Sequence, residues 1–423
     1  MSEAKTTLRE LSCTDDYDPN SMPVEQARAL IRRFLAPIRG IERCAIRTAL
    51  GRILAEDVIS PVDVPAHDNS AMDGYAVRAS DLGSGETVLR IAGSAFAGKP
   101  YSGRIETSEC IRIMTGGVVP ASLDTIVMQE HVRATGDRVT IGGGHQKGQH
   151  VRRAGEDLRR GSVALAKGRL ATPADIGLLA SLGIGEVGVY RKLRVAFFST
   201  GDELVSIGQP LAAGQIYDSN RYTIHGMLSR LGVDAMDMGV VRDDPALLER
   251  AFREASEVAD VVITSGGVSV GEADFVRDLL NRLGEVVFWK IAMKPGRPLA
   301  YGRVGNAHFF GLPGNPVSVM ATFYQFVRDA LYALMGRDPV PPIPVLKAYC
   351  TSALKKAPGR TEFQRGILSC DAGGQWCVRV TGEQGSGILS SMSEANCFII
   401  LPAEQGNVAA GATVDVQVME GVI

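Results

Sequence analysis

The chain has no long hydrophobic run. A membrane-crossing helix needs roughly 20 consecutive apolar residues, and no such window occurs among the 423 residues, so no membrane partner is expected. Cysteine is scarce: there are seven, an odd number, and even the closest pair, Cys370 and Cys377, lacks CxxC spacing. That excludes a disulfide framework and the common zinc and thioredoxin patterns, leaving packed thiols. Excess charge is missing as well. Lys and Arg number 45 against 47 Asp and Glu, a net charge of −2, so no broad basic surface for nucleic acid is implied. The first twenty residues are polar, with Asp15, Asp16 and Asp18, and contain no apolar signal core. Residues 1–21 are therefore expected to form a disordered tail on a cytoplasmic protein.

What is present is a globular composition, 45% hydrophobic and 22% charged, in a chain long enough for several domains. Val24 to Leu35 repeats apolar residues at helical spacing, and a short helix also fits Ala49 to Asp57. Short apolar runs between Gly and Asp turns then predict a mostly β module over 58–150. Thr172 and Pro173 read as the N-cap and first residue of another helix. From Leu193 the pattern becomes β/α. Strands are expected at Leu193–Phe198, Val233–Val240, Asp260–Thr264, Val286–Trp289 and His308–Phe310. Helices are expected at Ser219–Leu231, Ala246–Glu257, Asp274–Leu283 and Pro316–Met335. Parallel strands need such crossovers, so a doubly wound, mostly parallel sheet is predicted. Four prolines between Pro339 and Pro344 mark a linker, and five short strands after it predict a small C-terminal β domain.

Two segments imitate nucleotide motifs. Gly93 to Pro100 nearly spells a P-loop, but Pro100 stands where a hydroxyl should ligate Mg²⁺. Gly183 to Gly188 matches GxGxxG but precedes a strand and follows a helix, the reverse of a dinucleotide fingerprint. Both read as turns.

Chemistry gathers elsewhere. Pro65 to Ala76 crowds Asp68, Asn69, Ser70 and Asp73 into one stretch, which alone reads as an Asx-rich turn. Thr115-Gly116-Gly117 ends a strand with backbone N–H groups that could face an anion, and Gly155-Glu156-Asp157 is a further acidic turn. In open α/β sheets, ligands bind beyond the carboxyl ends of the strands. Three such ends carry polar loops here: Ser199 to Glu203, Thr264 to Asp274 with Ser265, Gly266 and Gly267, and Gly311 to Pro316 with Pro313, Gly314 and Asn315. Asn315 and Pro316 suit an N-cap and a first helical residue. Glycine loops and helix N-termini favour phosphate, and Asp202, Glu203 and Asp274 could hold Mg²⁺, which shares hard oxygen ligands with phosphates. Lys290, Lys294 and Arg297 follow the strand ending at Trp289 and suit a highly anionic ligand. Gly359 to Gly366 and Gly385 to Met392 read either as hairpin chemistry or as donors to a ligand.

The segments PAHDNSAMDGYAVR (65–78), RIMTGG (112–117), RRAGED (152–157), FFSTGDEL (197–204), GQIYDSNRY (214–222), ITSGGVSVGEADF (263–275), WKIAMKPGRPLAYG (289–302), FFGLPGNPVSV (309–319), GRTEFQRG (359–366) and GSGILSSMSEAN (385–396) occur in this order. Together they make the chain resemble the molybdopterin molybdenumtransferase family, the MoeA and gephyrin E-domain group. The resemblance implies a multidomain α/β fold. Its parts are a helical linker domain split over 22–57 and 151–190, the β domain of 58–150, a molybdopterin-binding α/β domain of 191–337, and a barrel-like β domain of 338–423. It implies an elongated homodimer whose site lies between the α/β and C-terminal domains of one subunit and the β domain of the other. The implied reaction is insertion of molybdate into adenylylated molybdopterin with hydrolysis of the adenylate and release of AMP, assisted by Mg²⁺. Implied partners are the adenylylating enzyme and recipient molybdoenzymes or their chaperones.

The resemblance carries roles onto Asp68, Thr115, Asp157, Glu203, Asp243, Asp274, Lys290, Lys294, Arg297, Pro313 and Pro316. Asp68, Glu203, Asp243 and Asp274 fall on the catalytic side; Asp68 or Asp243 would orient water or shuttle a proton. The others bind substrate together with Ser265, Gly266, Gly267, Gly314 and Asn315. The chain departs from the family at His67, at Cys397 after Asn396, and at Phe275-Val276. Adenylylation of molybdopterin by ATP, and a non-catalytic gephyrin-like scaffold, are the alternatives.

Overall fold

The structure, a computed structural model, describes residues 21–267 and 274–419, with only the backbone at Asp274, Phe275 and Phe288. Apart from Ser21, the expected tail lies outside the described residues. Among those described, no helix is long and apolar enough to cross a membrane.

The β/α segment forms one six-stranded sheet. Its elements are β1 (Arg194–Thr200), α1 (Ser219–Leu231), β2 (Asp234–Val241), α2 (Pro245–Val258), β3 (Val261–Ser265), α3 (Asp274–Leu283), β4 (Gly284–Lys290), β5 (Pro298–Val304) and β6 (Ala307–Leu312). The order is β2-β1-β3-β6-β5-β4. β2, β1, β3 and β6 run parallel, whereas β5 is antiparallel to both β6 and β4. Side chains alternate across a strand, so consecutive phenylalanines serve opposite faces. Phe197 and Phe310 pack with Ile224 and Leu228 of α1. Phe198 and Phe309 pack with Leu248 and Phe252 of α2 and Leu279 of α3, and Phe252 meets both rings edge-on.

The helices start where their caps dictate. Asp218 accepts the Arg221 N–H at 3.1 Å to open α1, and Gly232 closes it in the left-handed region. Asp244 accepts the Ala246 and Leu247 N–H groups at the start of α2. β5 is not among the expected strands, because Lys290 to Pro298 reads as a cationic loop and the apolar run after it, Leu299 to Tyr301, is cut short by Gly302 and Arg303. The long helix expected from Pro316 to Met335 is interrupted. Pro316–Thr322 is α-helical, Phe323–Val327 forms a π turn, and Arg328–Leu334 resumes the α-helix. All five π-turn residues are buried.

Before this unit, Gly74–Val77, Glu109–Ile113, Thr87–Ala95, Thr125–Met128, Val132–Thr135 and Arg138–Ile141 build the six-stranded sheet of the β module. Ile41–Ala45 pairs with Glu186–Tyr190, and the helix Pro173–Ser181 is capped by Thr172 and Asp175 in a reciprocal box. No helix forms at Ala49 to Asp57. Gly51 takes a φ of 73°, and the backbones of Ile53 and Leu54 bridge to Leu170 and Val189, so Leu54 enters the local core from extended chain. After the proline linker, Val345–Cys350, Thr361–Cys370, Trp376–Val380, Cys397–Leu401 and Thr413–Val418 close into a barrel. The segments expected to be turns are only partly so: Gly93–Ala95 end a strand before the turn at Ala97-Gly98, where Phe96 pairs with Lys99, and Gly183 turns the chain into the strand Glu186–Tyr190.

The helix Val24–Arg33 packs on the α/β unit. Met22, Val24, Ala27 and Ile31 share a core with Phe323, Phe326 and, from the barrel, Phe363 and Phe398. Arg28 donates to the Gln325 carbonyl at 2.9 Å, and Gln325 donates to Gln417 of the barrel at 3.0 Å.

Asp260 ties the amino edge of the sheet to the linker. It accepts a two-pronged Arg191 guanidinium at 2.6 and 2.7 Å and the Arg194 N–H at 2.9 Å. Burial alone would raise its pKa, but Arg191 and the Arg194 amide outweigh it and hold the carboxyl below the usual range. Because folding lowers this pKa, the interaction stabilises the native state above the unfolded value of about 3.9 and fades as pH falls through the folded one. Asp260→Ala is expected to lower the urea-unfolding free energy by about 1–3 kcal/mol at pH 7. The gap to the wild type should narrow below pH ~4; an equal gap at pH 7 and pH 3 would rule out the charge as its source.

Candidate functional site

The parallel strands deliver their carboxyl ends to one edge. In register, Ser199 lies beside Ser265 and Ser265 beside Leu312. β4 also ends there, Lys290 pairing with Pro298 at the start of β5. The cationic loop thus shares the edge with the glycine loops, as its position after Trp289 suggested.

The first residues after β3, Gly266 and Gly267, lie directly against the end of β1. Gly266 and Gly267 have φ of 90° and 68°, and a Cβ on Gly266 would stand 2.4 Å from the Thr200 carbonyl oxygen. Only glycine fits such an approach. Asn220, in the first turn of α1, binds the loops together: its Nδ2 donates to Ser265 Oγ at 2.7 Å and to the Gly314 carbonyl at 2.6 Å. Asp218 beside it accepts from Ser199 Oγ and from Arg221, whose other arm grips Asp237. Two buried polar atoms at this edge, Thr200 Oγ1 and Asn220 Oδ1, have no partner. Buried polar groups are nearly always satisfied, and a ligand at the edge would satisfy these.

Asp202 and Glu203 are exposed beside the same strand end. Asp202 Oδ1 accepts the Asp243 N–H at 3.3 Å, which brings Asp243 from the end of β2 to the first acidic pair. The side chain of Asp274, and the loop 268–273 before it, lie outside the described residues. Among the described residues no group of three or more His, Cys, Asp or Glu could hold a metal by itself. Mg²⁺, however, characteristically uses one or two carboxylates plus substrate phosphates, and Asp202 and Glu203 at a phosphate-suited edge fit that mode.

Asn315 occupies the N-cap position but its side chain makes no cap. The Ser386 carbonyl of the barrel takes the Val317 N–H at 3.1 Å instead, so the Asn315 amide stays exposed. The barrel loop is held there by Arg365, which is 1% exposed. Its guanidinium donates to the carbonyls of Glu383, Gln384 and Gly385 and to Ser391 Oγ. Burial pushes its pKa down to about 10. The segments at 359–366 and 385–392 are therefore one device that lays a barrel loop on the helix beginning at Pro316. The cationic loop is stitched to the same barrel: Met293–Lys294 pairs with Thr361 and Glu362, Lys294 Nζ lies 3.4 Å from Glu362 Oε1, and Arg297 reaches Ser21 Oγ at 3.4 Å.

Asp68, Thr115 and Asp157 sit on the β side of the molecule. Asp68 accepts the Ala154 N–H at 2.8 Å and Arg153 at 2.7 Å. It lines an open cleft of about 850 Å³ with His67, Pro120, Ser122 and Lys147, and no lining residue comes from the α/β unit. The Ala154 N–H, aided by Arg153 against the cost of burial, holds Asp68 below the usual carboxylate range. A carboxylate so held is a poor proton shuttle near neutral pH, which narrows its expected role to charge and orientation. The anion cradle expected at Thr115 to Gly117 is closed. The Thr115 N–H and hydroxyl both donate to Asp73, and the Gly116 and Gly117 N–H groups go to the carbonyls of Ser70 and Met114. Asp157 is exposed, its N–H bonded to the Val64 carbonyl.

Asp73, Glu362 and Arg365 lie in segments singled out in the sequence, but without an individual role, and Asn220 carried no expectation as a site residue at all. Asn220 was the most accessible of these, two places past the N-cap Asp218. Asn220→Ala removes both donors that join the loops and leaves the Gly314 carbonyl unpaired. A loss of about 1–3 kcal/mol in urea unfolding is expected, and a wild-type midpoint would show that the loops hold without it.

Comparison with known proteins agrees along the chain. Residues 22–183 match the MoeA N-terminal region (domain I and II), residues 196–333 a domain described as "Probable molybdopterin binding domain", and residues 347–419 the MoeA C-terminal region (domain IV). A molybdopterin molybdenumtransferase from Haemophilus influenzae is 47% identical over 397 residues, covering 94% of this chain and 98% of that protein. Molybdopterin molybdenumtransferase 2 from Mycobacterium tuberculosis is 38% identical over 404 residues, covering 93% and 98%. The crystal structure of a molybdopterin biosynthesis MoeA protein from Pyrococcus horikoshii superposes with a TM-score of 0.82 at 28% identity, covering 95% of this chain and all of that one. Matched in three consecutive segments and aligned over nearly its whole length, the chain belongs to the MoeA family.

Proposed function

We propose that this protein is a transferase that inserts molybdenum from molybdate into molybdopterin, taking the pterin as its adenylylated form and releasing AMP. The observation that carries the reading is the convergence on one sheet edge of three polar loops, an acidic pair and a cationic loop. Thr200 Oγ1 and Asn220 Oδ1 stand unpartnered among them. The name of the Haemophilus influenzae relative supports it.

Residue roles follow from chemistry. The backbone of Ser265, Gly266 and Gly267 admits a phosphate closely, and Pro313, Gly314, Asn315 and Pro316 border it from the next strand. Asp202 and Glu203, with Asp274 as a further candidate, would hold Mg²⁺, which when bound neutralises phosphoanhydride charge. Asp243, whose N–H meets Asp202, would orient the water whose oxygen attacks the adenylate phosphorus. Lys290, Lys294 and Arg297 supply positive charge for molybdate or the pterin phosphate. The dithiolene sulfurs belong to the substrate, so no cysteine set is required. Burial pushes the Cys397 thiol up to about 12, which suits an inert, packed group.

Asp68, Thr115 and Asp157 gain a role in a homodimer, where the β module of one subunit faces the sheet edge of the other. The protein would act in the cytoplasm, after a pterin-adenylylating enzyme and before molybdoenzymes or their chaperones. With adenylylated molybdopterin, Mg²⁺ and micromolar molybdate, molybdate-dependent release of AMP and active cofactor is expected. Glu203→Ala should cut AMP release by roughly 10²-fold or more while the fold persists. Stable pterin binding without release would sink the reading, and turnover of ATP would move the protein to the preceding step.

A further inference from the structure

Glu362 is a carboxylate that the reaction as derived above does not use, yet the fold keeps it 5% exposed. A carboxylate buried this far is retained only where its lone pairs are met. Oε1 faces Lys294 Nζ at 3.4 Å, and Oε2 accepts from Gln364 Nε2 at 2.9 Å. Gln364 is itself fixed by donating to the Lys355 carbonyl at 2.9 Å. Backbone pairing of Lys294 with Glu362 sets the two side chains side by side. The other nearby ammonium, Lys356, is already occupied by the carbonyls of Ala357, Ala403 and Gln405. Lys294 is different: its side chain is 52% exposed, so it meets Glu362 while leaving donors open to solvent in the loop that follows the sheet edge.

We propose that Glu362 is the positioning residue for Lys294: anchored from below by Gln364, it holds the lysine ammonium at the mouth between sheet edge and barrel, ready for an oxyanion. The proposal rests on the reading that Lys294 meets molybdate. A free lysine would lose rotamer freedom on each binding event; one tethered by a buried carboxylate has already lost it. The geometry also explains why a carboxylate is required. Two donors, Lys294 Nζ and Gln364 Nε2, converge on residue 362, and a carboxylate offers two acceptor oxygens where an amide offers one.

Position and charge make opposite predictions. If Glu362 merely neutralised Lys294, removing its charge would tighten an anion; if it positions Lys294, removal weakens the anion. Molybdate alone is titrated calorimetrically into the full-length wild type, Lys294→Ala, Glu362→Gln, Glu362→Asp and Gln364→Met, each checked by thermal melting. Lys294→Ala and Glu362→Gln should each weaken molybdate about tenfold, the scale of one charge-assisted hydrogen bond. Glu362→Asp, which keeps both acceptors, should recover most of that loss. Gln364→Met, which keeps the ion pair but removes its anchor, should weaken molybdate by a smaller factor and decides the question if Glu362→Gln does not fold. Wild-type or tighter binding in Glu362→Gln, or in Gln364→Met where that variant decides, with Lys294→Ala impaired, overturns the positioning role alone. Wild-type affinity in Lys294→Ala, or no molybdate binding by the wild type, overturns the oxyanion reading of Lys294 and this proposal with it.

Discussion

The antiparallel strand Pro298–Val304 governs the site. It pairs with Ala307–Leu312 on one side and Gly284–Lys290 on the other, so the edge strand Gly284–Lys290 regains the direction of the parallel set. Its carboxyl end, and the cations that follow, therefore open on the same edge as the glycine loops. Parallel pairing with Ala307–Leu312 alone, the hairpin to Gly284–Lys290 being kept, would have required a crossover and sent Lys290 to the opposite edge. Two reversals of direction thus bring the cationic loop to the edge that carries Asp202 and Glu203.

The same loop fixes the barrel. Met293–Lys294 extends the barrel sheet through Thr361–Glu362, and Arg365 returns the favour by holding the 383–385 loop against the helix that begins at Pro316. These two crossings are polar, but they are backed by a shared apolar core in which Phe363 and Phe398 of the barrel pack with Tyr324 of the π turn. A chain of nearly balanced charge can assemble such a site because its charges are sorted locally.

Much of this was legible in the sequence. Ser219–Leu231 is bounded by an aspartate cap and a left-handed glycine, so its limits were readable to the residue. The glycine loops were legible because strand ends and ligand edges coincide in such sheets. What escaped has physical causes. Ala49 to Asp57 has helical spacing, but pairing of Ile53 and Leu54 with distant strands overrode it. The N–H groups of Thr115 to Gly117 looked available because nothing local reveals that Asp73 and Ser70 consume them. Asn220, Glu362 and Arg365 act across 45, 68 and about 20 residues of chain respectively, distances at which no spacing rule operates.

The π turn at Phe323–Val327 has a geometric consequence for the long helix that contains it. One additional residue in a turn rotates all that follows by roughly 100° about the axis. The apolar stripe of Pro316–Thr322 and that of Arg328–Leu334 are thereby out of phase, and between them five successive side chains are enclosed on every side. The helix works as a twisted key rather than a straight rod, with its first half fitted to the sheet edge and its second to the amino-terminal helix. Gln325 lies at the change of phase, bonded at once to Arg28 and Gln417, so the azimuth of this one helix aligns three separate parts of the molecule.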